Sequence, residues 1–260
     1  MAAIAAVVLL VVAAMVILSG GPEAGTPATE ASPGTSLTTG PGDPTAPPGP
    51  TPSPSPRASP STRSPSPSPS KSTSGPTVGL RAYQDSYKVQ RPYDLSVSER
   101  FAVSAGPVYT AWILRGDKPF EPGSGTGPRT EMRWGNWSRV EHMWEADVLI
   151  DEGSEGTAIM QVKSNDGYEP VYVNVKNHGS LYNDSDRTVL ATDVWGVWLH
   201  LVCGYDPVSG DGRVWVNGRL ALTRHDPHPL DTVWYFKNGV YGITGAKSQA
   251  HFKNVRFWTR

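Results

Sequence analysis

Residues 78–260 are predicted to fold as an all-β domain, a two-sheet antiparallel β-sandwich of jelly-roll type, preceded by an N-terminal membrane segment and a disordered linker. Three features of the sequence carry that expectation. Short runs rich in β-branched and aromatic residues alternate between apolar and polar at a period of two, the pattern of strands with one buried face. Clusters such as D-P-V-S-G-D-G interrupt these runs at turn spacing. No stretch keeps a helical periodicity for more than about two turns.

In chain order, Ala2 to Ser19 is an unbroken run of 18 apolar or small residues, which as a helix would span ~27 Å and cross a bilayer core. It lacks a basic n-region, its apolar run exceeds the ~7–15 residues of a secretory signal, and no clean A-x-A site follows. Residues 1–20 are therefore expected to be an uncleaved signal anchor, with a cleaved signal peptide as the alternative. Residues 21–77 are dominated by Pro, Ser, Thr and Gly, in runs such as P-T-P-S-P-S-P and S-P-S-P-S-P-S. That composition cannot bury a core. As polyproline II it would reach ~180 Å, and its Ser/Thr density resembles the O-glycosylated stalks of surface proteins. The expected location of the domain is extracellular, membrane-anchored or secreted; a disordered cytosolic tail is the competing reading of the linker.

The remaining segment has the size of one domain. The leader and linker balance three basic residues (Arg57, Arg63, Lys71) against three acidic ones (Glu23, Glu30, Asp43), so the domain carries the chain's net charge of -1. Such a balance does not point to nucleic acid, and a monomer is expected. Cys203 is the single cysteine, which excludes an internal disulfide and a thiolate cluster and fits a buried core thiol.

Strands are expected in V-E-H-M-W-E-A-D-V-L-I (140–150), T-A-I-M-Q-V-K (157–163), P-V-Y-V-N-V-K (170–176) and G-V-W-L-H-L-V-C-G-Y (196–205). R-V-W-V-N-G-R-L-A-L reads as a hairpin, with Asn217-Gly218 supplying the positive φ of a type I′ turn. W-Y-F-K-N-G-V-Y-G (234–242) is a strand with Tyr235, Lys237 and Tyr241 on one face and Phe236 and Val240 on the other. A final strand, H-F-K-N-V-R-F-W, runs to the terminus.

Three of these runs carry polar residues at the strand period. Arg129, Glu131 and Arg133 share a face of P-R-T-E-M-R-W; Gln161 and Lys163 share a face of M-Q-V-K; Tyr235, Lys237 and Tyr241 share the third. On neighbouring strands they would floor a groove with a local excess of cations, suited to an anionic ligand, with Gly239 leaving room and Trp134 and Trp137 flanking it as platforms for sugar rings. The alternative is a self-neutralising salt-bridge ladder on a solvated sheet face.

R-T-E-M-R, Q-V-K and Y-F-K-N-G-V-Y resemble, in the same order, the sheet motifs R-[ST]-E-[LV]-R, Q-[IV]-H and Y-F-K-A-G-x-Y of the alginate-lyase type, polysaccharide lyase family seven, a concanavalin A-like jelly roll. The resemblance spans roughly residues 78–260. Its most consequential departure from the pattern is at Lys163, which stands for the histidine of the second motif. Related jelly-roll lyases of glucuronan or heparin-like chains share parts of these motifs.

The resemblance implies β-elimination on a uronic-acid polysaccharide, alginate- or glucuronan-like, with no cofactor. Such chemistry needs donors that neutralise the C6 carboxylate and stabilise the developing enediolate, for which Arg129 and Gln161 are the catalytic candidates, with Glu131, Arg133, Trp134, Lys237 and Tyr241 binding substrate. By motif position Tyr235 is the catalytic tyrosine. Lys163 would be a base with a pKa lowered by neighbouring cations, a fixed cation leaving both proton transfers to tyrosine, or the mark of a domain that binds polymer without cutting it.

Other constellations are weaker. His142 alternates with apolar residues and fits a core histidine; His225 and His228, in R-H-D-P-H-P, sit in a Pro-rich loop that leads into the tyrosine strand. No third ligand follows at useful spacing, so no metal is expected. Glu145-Ala146-Asp147 begins the E-x-D-x-E pattern of jelly-roll glycoside hydrolases, but Leu149 or Ile150 occupies the next required position. A non-catalytic, lectin-like carbohydrate-binding module on the cell surface remains the competing function.

Overall fold

The computed structural model describes residues 75–260, so the anchor expected at 1–20 and nearly all of the linker expected at 21–77 lie outside the described residues. The strands are β1 (Arg81–Tyr83), β2 (Tyr87–Gln90), β3 (Phe101–Ser104), β4 (Val108–Leu114), β5 (Arg129–Trp137), β6 (His142–Ile150), β7 (Thr157–Ser164), β8 (Val171–Lys176), β9 (Ser180–Asn183), β10 (Thr188–Ala191), β11 (Leu199–Asp206), β12 (Asp211–Val216), β13 (Arg219–His225), β14 (Trp234–Tyr241) and β15 (Lys247–Thr259). Among the described residues the helical content is one 3-10 turn, Val97–Glu99, and no helix is long and apolar enough to cross a membrane.

The strands form two antiparallel sheets. Sheet A has the order β13-β12-β11-β6-β15-β4-β3, with β1 also on β15; sheet B has the order β10-β9-β8-β7-β14-β5-β2. Their facing residues make the core, in which Trp144, Trp234, Phe236, Phe252, Ile113 and Met132 are fully buried. Burial of this many large apolar side chains is what holds the sandwich together. Cys203 lies in the same core, and burial pushes its thiol pKa up, making it an inert packing residue.

Local rules account for the connections. Asn217 (φ 51°) and Gly218 (φ 78°) adopt the positive φ that the hairpin between β12 and β13 requires. Gly239 serves a different purpose from the one its position suggested: at φ 151°, a Cβ there would lie 2.2 Å from the Thr130 carbonyl oxygen. It permits close approach of β5 rather than leaving room for a ligand. The last strand is longer than expected because a bulge between Lys253 and Arg256, with Asn254 at φ 55°, lets one chain segment serve two sets of neighbours.

Candidate functional site

Sheet B places β7, β14 and β5 side by side, so the three polar motifs come together on one face. Lys237 pairs across the ladder with Gln161 on one side and Arg133 on the other; Tyr235 pairs with Lys163 and Asn136; Tyr241 pairs with Arg129 and Ala158. A cavity of about 230 Å³ opens over this face, lined by Arg129, Lys163, Tyr235 and Lys237 together with Gln90 of β2 and Phe120 of the β4–β5 connection.

The charges in this groove are organised around a buried carboxylate. Glu131 is 1 % exposed; its Oε1 accepts from Gln161 Nε2 at 2.6 Å and its Oε2 from Lys237 Nζ at 3.2 Å, with Arg129 Nη1 at 3.7 Å. Buried charges persist only when paired in this way. The ladder alternative is therefore realised in part, but across strands and under cover rather than along β5 in solvent. Arg133 does not join it: its guanidinium donates to Asn136 Oδ1 and to the Trp134 carbonyl. Both arginines also lie against tyrosine rings of β14, Arg133 at 4.0 Å from the Tyr235 centroid and Arg129 at 4.2 Å from that of Tyr241.

Lys163, at the departure from the motif, forms an ion pair with Glu169 of the β7–β8 turn. Its partner is thus an anion, where the sequence suggested a surrounding of cations. Lys237 has its pKa lowered, through burial first, with the cations Arg129 and Lys163 adding and Glu131 opposing. Burial raises the Tyr235 phenol pKa above its ordinary value, against the pull of Lys163 and Arg133.

Trp134 and Trp137 require correction. Neither is a platform in the groove: they are 4 % and 8 % exposed and belong to the core, where the Trp134 indole N–H donates to Asn238 Oδ1 at 2.7 Å and its ring packs on Phe257. His142 is a core histidine, stacked on Trp137, its pKa lowered chiefly by burial. His228 stacks on Tyr168 and His225 meets Asp211. Sequence reasoning missed Tyr172, Glu169, Lys88 and Gln90. Tyr172 pairs with Gln161, and Lys88 and Gln90 pair with Arg133 and Glu131; Tyr172's pKa is raised by burial and by nearby Glu169, Tyr241 and Glu131.

No family model matches the sequence. A curated relative, the citrate-binding protein of Hevea brasiliensis, is 30% identical over 181 residues, 67% of this chain and 74% of that protein. The chain belongs to the family of this protein. Its fold is that of the family 7 alginate lyases. Alginate lyase AlgAT5 of polysaccharide lyase family 7 superposes with a TM-score of 0.56 at 18% identity, covering 67% of this chain and 94% of that one. A family 7 alginate lyase solved in complex with substrate (GGMG) gives a TM-score of 0.52 at 17% identity, over 66% of this chain and 91% of that one. The same sandwich fold is thus built here with Lys163 of β7 paired to Glu169.

Proposed function

We propose that this domain is a polysaccharide lyase that cleaves a uronic-acid-containing polysaccharide, alginate- or glucuronan-like, by β-elimination in the sheet B groove. The observation that carries the reading is the convergence of Tyr235 with Arg129, Gln161, Lys237 and Arg133 on one face of adjacent strands. Donors there meet the C6 carboxylate and the charge that develops on it. Tyr235 then takes the C5 proton, the C5–H electron pair becomes the C4–C5 double bond, and the C4–O4 bond breaks with a proton returned to O4 by the same phenol. Lys163, held by Glu169, acts as a fixed cation that favours the phenolate. A tyrosine that must ionise to act as base, with a raised pKa, makes the rate climb with pH through the alkaline range.

A second reading, carboxylate binding without cleavage, is favoured by one specific pair, Lys163–Glu169, which stands where the motif has histidine, and the Hevea relative bears the name of a citrate-binding protein. One experiment separates the two. Ultraviolet absorbance of the unsaturated uronate product is followed on alginate, glucuronan, hyaluronan and heparin-like chains, alongside calorimetry with the same polymers and with citrate. Elimination that Tyr235→Phe lowers by ~10²–10⁴-fold, with affinity kept, supports the lyase. Polymer or citrate binding with no absorbance change transfers the assignment to the second reading.

The site would work outside the cytoplasm, on a monomer tethered by residues 1–20 through the linker 21–77. Protease added to intact cells is then expected to release the domain; protection until lysis would reverse this placement.

A further inference from the structure

A row of five in-register residues crosses sheet B at right angles to its strands: Tyr172 on β8, Gln161 on β7, Lys237 on β14, Arg133 on β5 and Lys88 on β2. With strands ~4.8 Å apart the row is ~19 Å long, which exceeds one sugar ring. It ends at the edge of the sheet, because β2 is the outermost strand. The surface does not close there. A cavity of about 490 Å³ beside Lys88 and Arg133 shares Tyr87 and Trp134 with a second cavity of about 400 Å³, which Tyr83, Asp85, Tyr109 and Arg256 complete.

This corner exists because sheet A has a gap. On one side of β15, β4 pairs with Lys247 through Phe252 and β1 with Phe257 through Thr259, so among the described residues the bulged segment between them has no strand neighbour on that side. Tyr87 and Tyr109 meet there edge to face, with centroids 5.7 Å apart and planes at 85°, and so make two walls at right angles. The phenol hydroxyls that bond within the described residues are those of Tyr182 and Tyr205; those of Tyr83, Tyr87 and Tyr109 are left for a ligand. Burial raises the pKa of Tyr83 and Tyr87, keeping both neutral donors. Aromatic walls with a few convergent polar groups, at this volume, are the ordinary make-up of a small-ligand site.

We propose that the corner is a remote subsite for the same polymer: a pyranose unit beyond the groove, reached over Lys88, rests against Tyr87 and Tyr109, hydrogen-bonds Asp85 and the phenols, and turns its carboxylate to Arg256, drawing that exposed guanidinium from its 3.7 Å contact with Glu145. The inference rests on the uronate reading of the groove, and its test is arranged so that the two can fail separately. Full-length protein carrying Tyr235→Phe, which prevents turnover, is titrated calorimetrically with alginate-derived trimer and octamer. The octamer is expected to bind about tenfold or more tightly than the trimer, and this ratio is expected to collapse in both Tyr109→Ala and Arg256→Ala. The Arg256 side chain is 60% exposed, so its removal leaves the fold in place if the tyrosine variant does not. Trimer binding with no gain for the octamer, or a ratio that survives both variants, overturns the subsite alone. Absence of trimer and octamer binding, with glucuronan oligomers of the same lengths as well as with the alginate ones, overturns the uronate reading and the subsite with it.

Discussion

Two ionic networks on this sandwich are written in the same sequence language and have opposite physical characters. In the sheet B groove, Glu131 and Lys237 are 1 % and 3 % exposed and hold each other at 3.2 Å. On the outer face of sheet A, Asp147 and Glu145 of β6 bracket His200 of β11 at 3.0 and 3.5 Å, with Asn254 and Trp258 donating to the two carboxylates. There the His200 side chain is 41% exposed. Both sets arise from polar residues at period two facing away from the core. What separates them is cover: the β4–β5 connection brings Phe120, Ser124 and Thr126 over the groove, while the sheet A network opens to solvent. A charge under cover loses its hydration and depends on its partner; a charge in solvent does not.

The largest effect that sharpens this contrast is expected at Glu131. Glu131→Gln leaves Lys237 buried without an anion, and loss of one partner from a buried pair costs about 3–5 kcal/mol, to be read as a lower urea midpoint at unchanged slope. Replacing Lys237→Met in the same chain is expected to recover part of the loss, because the orphaned charge goes with it. A loss below about 1 kcal/mol would place this pair among surface ion pairs and erase the difference between the two faces.

How much of this was legible in the sequence depends on the kind of step. Two-residue alternation sufficed to put Arg129, Glu131 and Arg133, and likewise Tyr235, Lys237 and Tyr241, on single faces, and the structure sets their strands side by side, the condition on which the groove rested. The same alternation assigns Trp134 to the opposite, core face, so that signal was present. Trp137 is different: strict alternation puts it with Arg133, but the ladder advances three residues on β5, from Arg133 to Asn136, against two on β14, from Lys237 to Tyr235. The extra residue turns Asn136 into the groove and Trp137 into the core, and nothing local announces it beyond Gly135. Tyr172 lay in an expected strand, yet its placement opposite Gln161 is a matter of pairing, which periodicity does not encode. Glu169 follows Lys163 by six residues across a hairpin turn, and only the turn's geometry shows that the two meet.

The smaller effect is expected on the sheet A side, at Asp147. Burial there acts to raise its carboxyl pKa, but hydrogen bonds from His200 and Asn254 outweigh burial and hold it below the ordinary value. A folded pKa below the unfolded one gives stability that is present above the unfolded pKa, ~3.9 for aspartate, and is lost as pH falls through the folded value. Asp147→Asn is therefore expected to cost only ~0–1 kcal/mol at neutral pH, a difference that shrinks further in high salt and vanishes in strong acid, where wild type has lost the same charge. The Asn254 bond sits at 2.7 Å on an exposed side chain, so solvent replaces it when the carboxylate is gone. Urea midpoints for the two proteins, taken from neutral pH down through pH 3 and repeated in molar salt, check this. A loss of several kcal/mol at neutral pH that salt leaves unchanged would mean that the outer network is as dependent on its partners as the groove, and that cover is not what distinguishes the two faces.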